Sequence, residues 1–112
     1  MDETEINLTE QKCVPCEGGV DPIVRDDAEI LLKHIPDWEL ASDYASISRK
    51  YEFRDFASAI EFVNKVAEIA EDEGHHPDIH LTEYKYVTIV LTTHAIGGLS
   101  NNDFILAAKI DA

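Results

Sequence analysis

Asp55-Phe-Ala-Ser-Ala-Ile-Glu-Phe-Val-Asn-Lys-Val-Ala-Glu-Ile-Ala-Glu-Asp-Glu-Gly74 is the stretch on which the fold turns. Phe56, Ala59, Ile60, Val63, Val66, Ala67 and Ala70 recur three and four residues apart, the spacing that lines one face of an α-helix. Asp55 offers a carboxylate to the unpaired amides of the first turn. Gly74 ends the helix, because without a Cβ it enters the left-handed region at no steric cost. A long helix with one apolar face must cover another layer of structure.

Both flanks of this helix switch to alternation. Upstream, after a short run at Trp38 to Leu40, Ala45, Ile47, Tyr51 and Phe53 fall on one side of the chain, with Ser46, Ser48, Lys50 and Glu52 on the other. That pattern predicts two antiparallel strands. Downstream, Ile79 and Leu81, then Val87, Ile89 and Leu91, predict a second pair joined near Glu83 to Lys85. Asp26 with Glu29 reads as a capping box opening a first helix through Ile30, Leu31, His34 and Ile35 to Pro36. Ser100 with Asp103 opens a last helix carrying Phe104, Ile105 and Ala108. The order α-β-β-α-β-β-α predicts an α+β domain, a four-stranded antiparallel sheet with helices packed on one face. Its open edges predict a homodimer or homotetramer.

The chain has 112 residues, 45% of them hydrophobic, enough for one domain with a modest core. Residues 1–26 contain Pro15, Gly18, Gly19 and Pro22 and no periodicity, so they read as an irregular arm leading into a single domain over 27–112. Cys13 and Cys16, in Cys-Val-Pro-Cys-Glu-Gly-Gly, form one C-x-x-C with no second pair to complete a four-thiolate zinc site, and are expected to be structural or incidental. Nine Lys and Arg against 23 Asp and Glu give a net charge of -14, which argues against nucleic-acid and anionic-membrane partners. Neither a basic, apolar leader nor a stretch of ~20 apolar residues is present, so a cytoplasmic location is expected.

Four of the five histidines lie between His75 and His94. His75 and His76 follow the C-terminus of the long helix, where the negative end of its dipole and Glu71, one turn back, favour protonated imidazole. Pro77 restricts His76 to an extended backbone and fixes its direction. His94 follows Thr92 and Thr93 at the end of an alternating strand, and Gly97-Gly98 lets the chain turn away. A three-histidine pocket follows. Spacing leaves open a metal site of His75, His76 and His94 with Glu71 or Asp78, although H-E-x-x-H and EF-hand patterns are absent. His80 is expected to face solvent and His34 to pack at the rim of the first helix. Phosphate-binding loops and the G-x-S-x-G elbow are missing, which leaves nucleotide-dependent chemistry unsupported.

The run Glu71-Asp-Glu-Gly-His-His-Pro-Asp78, followed by Tyr84, Thr92-Thr93-His94 and Asp103, resembles the signature of the pterin-4a-carbinolamine dehydratase family. The resemblance extends through Ile35-Pro36-Asp37-Trp38, Phe53 to Gly74 and Asn102-Asp-Phe-Ile-Leu-Ala-Ala108, most of residues 27–112. It implies loss of water from a 4a-hydroxytetrahydropterin to give quinonoid dihydropterin, as in tetrahydrobiopterin recycling, without metal or bound cofactor. An aromatic amino-acid hydroxylase would be a functional partner. It further implies His76 as base and His75 as main acid. His94 would be a second acid or a pterin contact, Glu71 would orient the pair, and Pro77, Asp78 and Thr93 would support the site or the substrate. Asp103 stays a capping residue in support. Gly74 and Ile79 depart from the aspartate and aromatic of animal members. A microbial-type member is therefore expected, without the animal proteins' second role as dimerisation partners of a transcription factor. The leading Cys-Val-Pro-Cys-Glu-Gly-Gly is similar to the arm of some microbial members. The rival reading is a non-enzymatic binding or dimerisation module on the same fold, against which the full histidine set counts.

Overall fold

The computed structural model describes residues 7–14 and 20–112. Three helices and four strands follow in the expected order: α1 (Arg25–Leu32), β1 (Glu39–Leu40), β2 (Ile47–Glu52), α2 (Phe56–Glu73), β3 (Asp78–Thr82), β4 (Tyr86–Leu91) and α3 (Asn101–Asp111). The strands form one sheet in the order β1-β2-β4-β3, antiparallel throughout. The central pair β2–β4 runs in register from Ile47 opposite Leu91 to Glu52 opposite Tyr86.

β4 alternates without a fault: Val87, Ile89 and Leu91 are fully buried, while Tyr86, Thr88 and Val90 are half-buried on the other face. The buried row meets the helices, each such side chain contributing roughly 1.5–3 kcal/mol by leaving water. Arg49 shares the core-facing side of β2. Its guanidinium is accommodated at the margin, 3.0 Å from Asp111 and 4.5 Å above the Tyr51 ring. Asp111 also accepts from Trp38 Nε1 at 2.7 Å and from the Tyr51 hydroxyl at 2.5 Å, which ties the end of α3 to the sheet.

α2 is capped as its sequence predicts. Asp55 accepts from the Ser58 amide at 2.8 Å, and Gly74 is left-handed at φ +68°. Its buried stripe sits slightly to one side of the expected one. Ala59, Val66, Ala70 and Glu73 are buried, Phe62, Val63 and Ile69 pack against the core, but Phe56 is 53% exposed and Ala67 lies in solvent. Three-and-four spacing admits two adjacent stripes, and only the docking partner chooses between them. That partner includes α3, nearly all of which is buried from Asn102 to Ala108.

At α1 the expectation is corrected. The N-cap is Val24, without a side-chain cap, and Asp26 lies in the first turn, so Asp26 and Glu29 form no capping box. The helix stops at Leu32. His34 and Ile35 belong to the following turns, their amides donating to Leu31 and Leu32. His34 is half-buried there, and its Nε2 is a buried atom with no hydrogen-bond partner among the described residues. His80 is exposed on β3, as expected. The described part of the leading segment makes a 3-10 turn at Leu8–Glu10 that lies on α3 and puts Leu8 into the core. Cys16 lies outside the described residues. No helix among the described residues is long and apolar enough to cross a membrane.

Candidate active site

Two helix ends place His75. At the C-terminus of α2, the left-handed Gly74 lets the His75 amide reach back to the Ala70 carbonyl at 3.2 Å, a bond that locks the residue's backbone to the last helical turn. At the N-terminus of α3, Ser100 and Asp103 form the expected capping box. The Asp103 carboxylate is fully buried. Its Oδ2 accepts from the Ser100 amide at 3.0 Å and the Thr93 hydroxyl at 2.9 Å, and its Oδ1 lies 2.6 Å from His75 Nε2. A carboxylate only accepts, so the hydrogen belongs to Nε2 of His75, and Nδ1 is the ring nitrogen not engaged by Asp103. Capping and orienting are both done by Asp103, one through each oxygen.

His76 is held differently. Its Nε2 lies 2.7 Å from Glu71 Oε1, on side chains that are 62% and 77% exposed. The same logic puts the hydrogen on Nε2 and leaves Nδ1 without a carboxylate partner. His94 opens a 3-10 turn at His94–Ile96 and does not end a strand. The ladder stops at Leu91. Thr92 then donates to the Ala45 carbonyl at 2.6 Å, and Thr93 forms an isolated bridge with Gly98. The chain reverses at Gly97, φ +68°, and a Cβ on Gly98 would come within 2.7 Å of Pro22.

These placements bring His75, His76, His94 and Thr93 around one cavity of about 290 Å³, near the small end of ligand pockets. Among the described residues, Gly74, Thr92, Ala95, Val14 and Asn102 add to the wall. Glu71 acts on the cavity through His76. Pro77 is half-buried and Asp78 is exposed as β3 begins, opposite Val90; neither lines the cavity. Sequence reasoning missed Val14, Asn102 and the second task of Asp103. Asn102 stands beside Asp103 in a recognisable helix start, which is a signal of sorts. Nothing in the arm marks Val14.

Among the described residues, no group of three or more His, Cys, Asp or Glu side chains gathers as a metal-ligand set; His75 and His76 each turn to a separate carboxylate. Cys13 is partly buried beside the site. Its amide donates to Glu73 Oε1 at 2.9 Å, and its thiol contacts the Asn102 carbonyl at 3.6 Å. Burial, with the Glu73 carboxylate adding to it, pushes that thiol up to about 12, so it stays protonated near neutrality and a poor nucleophile or ligand.

Fold and site together define a small α+β protein with a histidine-lined cavity at the junction of two helix ends and a strand end. The family described as Pterin 4 alpha carbinolamine dehydratase matches residues 21–112, and the chain belongs to it. It is similar to a Halorhodospira halophila protein named for this dehydratase, 51% identical over 107 residues, 96% of this chain and 97% of that one. It is also similar to pterin-4-alpha-carbinolamine dehydratase 2, mitochondrial, of Arabidopsis thaliana, 44% identical over 94% of this chain and 58% of the relative. A solved structure described as a transcriptional coactivator/pterin dehydratase from Brucella melitensis superposes with a TM-score of 0.75 at 26% identity, covering 81% of this chain and 96% of that one. A pterin dehydratase-like RuBisCO assembly factor of the alpha-carboxysome, at 24% identity and a TM-score of 0.58 over 70% of this chain and 89% of that one, shares the fold.

Proposed function

We propose that the chain is a hydro-lyase that removes water from a 4a-hydroxytetrahydropterin by histidine acid/base catalysis, with no metal or bound cofactor. Family membership supports the reaction, and the observation that carries the mechanism is the pair of imidazole–carboxylate couples on one cavity: His75 with Asp103 and His76 with Glu71. His76 takes the proton from N5 of the pterin through Nδ1. The N5 electrons form the N5=C4a bond as the C4a–O bond breaks. Protonated His75 delivers a proton to the departing hydroxyl, which leaves as water. The product is quinonoid dihydropterin, and proton exchange with solvent resets both rings. His94 contacts the pterin or supplies the second acid. Positioned general acids and bases of this kind contribute roughly 10²–10⁴-fold each.

The setting we infer is tetrahydrobiopterin recycling in the cytoplasm beside an aromatic amino-acid hydroxylase, by a homodimer or homotetramer. Support for the assembly comes from β3, which stands at the edge of the sheet. The competing reading is a non-enzymatic binding module, a use to which the fold lends itself. A binding surface has no use for imidazoles each oriented by its own carboxylate, and that weighs against it. Stopped-flow dehydration of synthetic 4a-hydroxytetrahydrobiopterin decides: acceleration by the wild type that is lost in His75→Ala/His76→Ala and survives chelation is expected. Folded wild type without acceleration would sink the reading.

A further inference from the structure

A second cavity, of about 490 Å³, shares no described lining residue with the histidine one and falls within the range of small-molecule pockets. It lies where the turns after α1, strand β2 and the last turns of α3 meet. His34, Ile35, Asp37, Arg49, Ala108 and Asp111 are among the residues that line it.

The charged groups of this cavity differ in how firmly the fold holds them. Arg49 Nη1 lies 3.0 Å from Asp111, whose carboxylate also receives Trp38 and Tyr51, so that pair is committed to joining α3 to the sheet. Asp37 stands 3.6 Å from the same nitrogen, beyond hydrogen-bond range, with its side chain 69% exposed. The cavity therefore presents a guanidinium and a loosely held carboxylate side by side. His34 adds a third group. Its Nε2 is shut off from water and has no hydrogen-bond partner among the described residues, an unfavourable state that a ligand can relieve.

We propose that this cavity binds a free α-amino acid with an apolar side chain. Such a molecule carries its ammonium and carboxylate on one carbon, so it matches a cation and an anion held next to each other. Its carboxylate accepts from the Arg49 guanidinium, whose fork of N–H groups suits a carboxylate. Its ammonium pairs with Asp37 and donates to His34 Nε2, which accepts in the tautomer that carries hydrogen on Nδ1. Ile35 and Ala108 meet the side chain. One charge alone is not enough. A simple carboxylate meets Asp37 and Asp111 as like charges, and a simple amine meets Arg49 as one.

Calorimetric titration of the full chain with L-leucine, isocaproate and isoamylamine tests this, in the wild type, Asp37→Asn, His34→Leu and His75→Ala/His76→Ala. L-Leucine is expected to bind the wild type with a Kd of about 1 mM or below, and each analogue, lacking one of the two charges, at least about tenfold more weakly. Asp37→Asn alters an exposed side chain, so it should weaken L-leucine at least about tenfold at an unchanged urea midpoint, and His34→Leu should weaken it severalfold. The double histidine variant should bind L-leucine as the wild type does. The proposal is overturned by no L-leucine binding at about 20 mM, by an analogue that binds as tightly, or by an Asp37→Asn or His34→Leu variant without effect. Binding that disappears with His75 and His76 would place the amino acid in the histidine cavity and overturn it too.

Discussion

The two imidazole–carboxylate couples are alike in length and opposite in setting. His75 and Asp103 meet at 2.6 Å with side chains 12% and 0% exposed, whereas His76 and Glu71 meet at 2.7 Å in the open. The buried couple is part of the fold: Asp103 also receives Thr93 and Ser100, so three donors depend on one carboxylate that water cannot replace. The exposed couple is screened by solvent and adds little to stability. Similar contacts in the two couples thus divide the work, one ring held by the core and the other by a helix end and its own sequence neighbour.

The largest effect is expected from Asp103→Ala. Stranding buried donors around His75 is expected to cost about 3 kcal/mol in urea unfolding, together with the dehydratase activity. An unchanged unfolding midpoint would mean that the buried couple is not a structural hub. His76→Ala is expected to lower kcat by roughly 10²–10⁴ and to leave stability within about 0.5 kcal/mol. His75→Ala should lose comparable activity and also about 1–3 kcal/mol, because Asp103 Oδ1 is then unsatisfied. Parallel stopped-flow and urea measurements on these two variants break the comparison if their stabilities match.

A third carboxylate, Glu73, sharpens it. Its buried side chain lies 2.7 Å from Lys109 Nζ, and that bond first, then the Cys13 amide, hold it below its usual 4.5. A carboxyl lowered on folding contributes stability that is fully present above 4.5 and is lost as pH falls through the depressed folded value. The advantage of wild type over Glu73→Gln in urea midpoint should therefore shrink on acidification below 4.5. A gap independent of pH would show that the pair is not what holds the arm. The smallest effect belongs to Glu71→Gln, less than about fivefold in kcat/KM. About 1 M salt should shrink it further, whereas the Asp103 variant's deficit should persist.

Elements defined by local chemistry were legible in the chain. α2 could be read from its period, its Asp55 cap and its Gly74 stop, and β4 from strict alternation, because both patterns repeat over many residues. α1 was misjudged at both ends, since Asp26–Glu29 imitates a capping box while Val24 holds the position, and nothing before Pro36 shows that the helix ends at Leu32. Of the site, His75, His76 and His94 were legible because they cluster in sequence, and Thr93 through the family resemblance. His94 was expected on a strand because alternation says nothing about where the ladder is abandoned, here for the contacts of Thr92 with Ala45 and of Thr93 with Gly98.

By itself, the sequence determined the element order, the helix-end position of the two histidines and the Glu71 partner five residues from His76, because propensity, capping and short spacing act over a few residues. Only the tertiary structure decided that Asp103, 28 residues from His75, is its partner, and that Val14 and Asn102, 88 residues apart, close the same cavity. Those contacts depend on how α2, α3 and the arm dock around a shared core, and docking is set by the summed burial of side chains from distant segments, which no local pattern records.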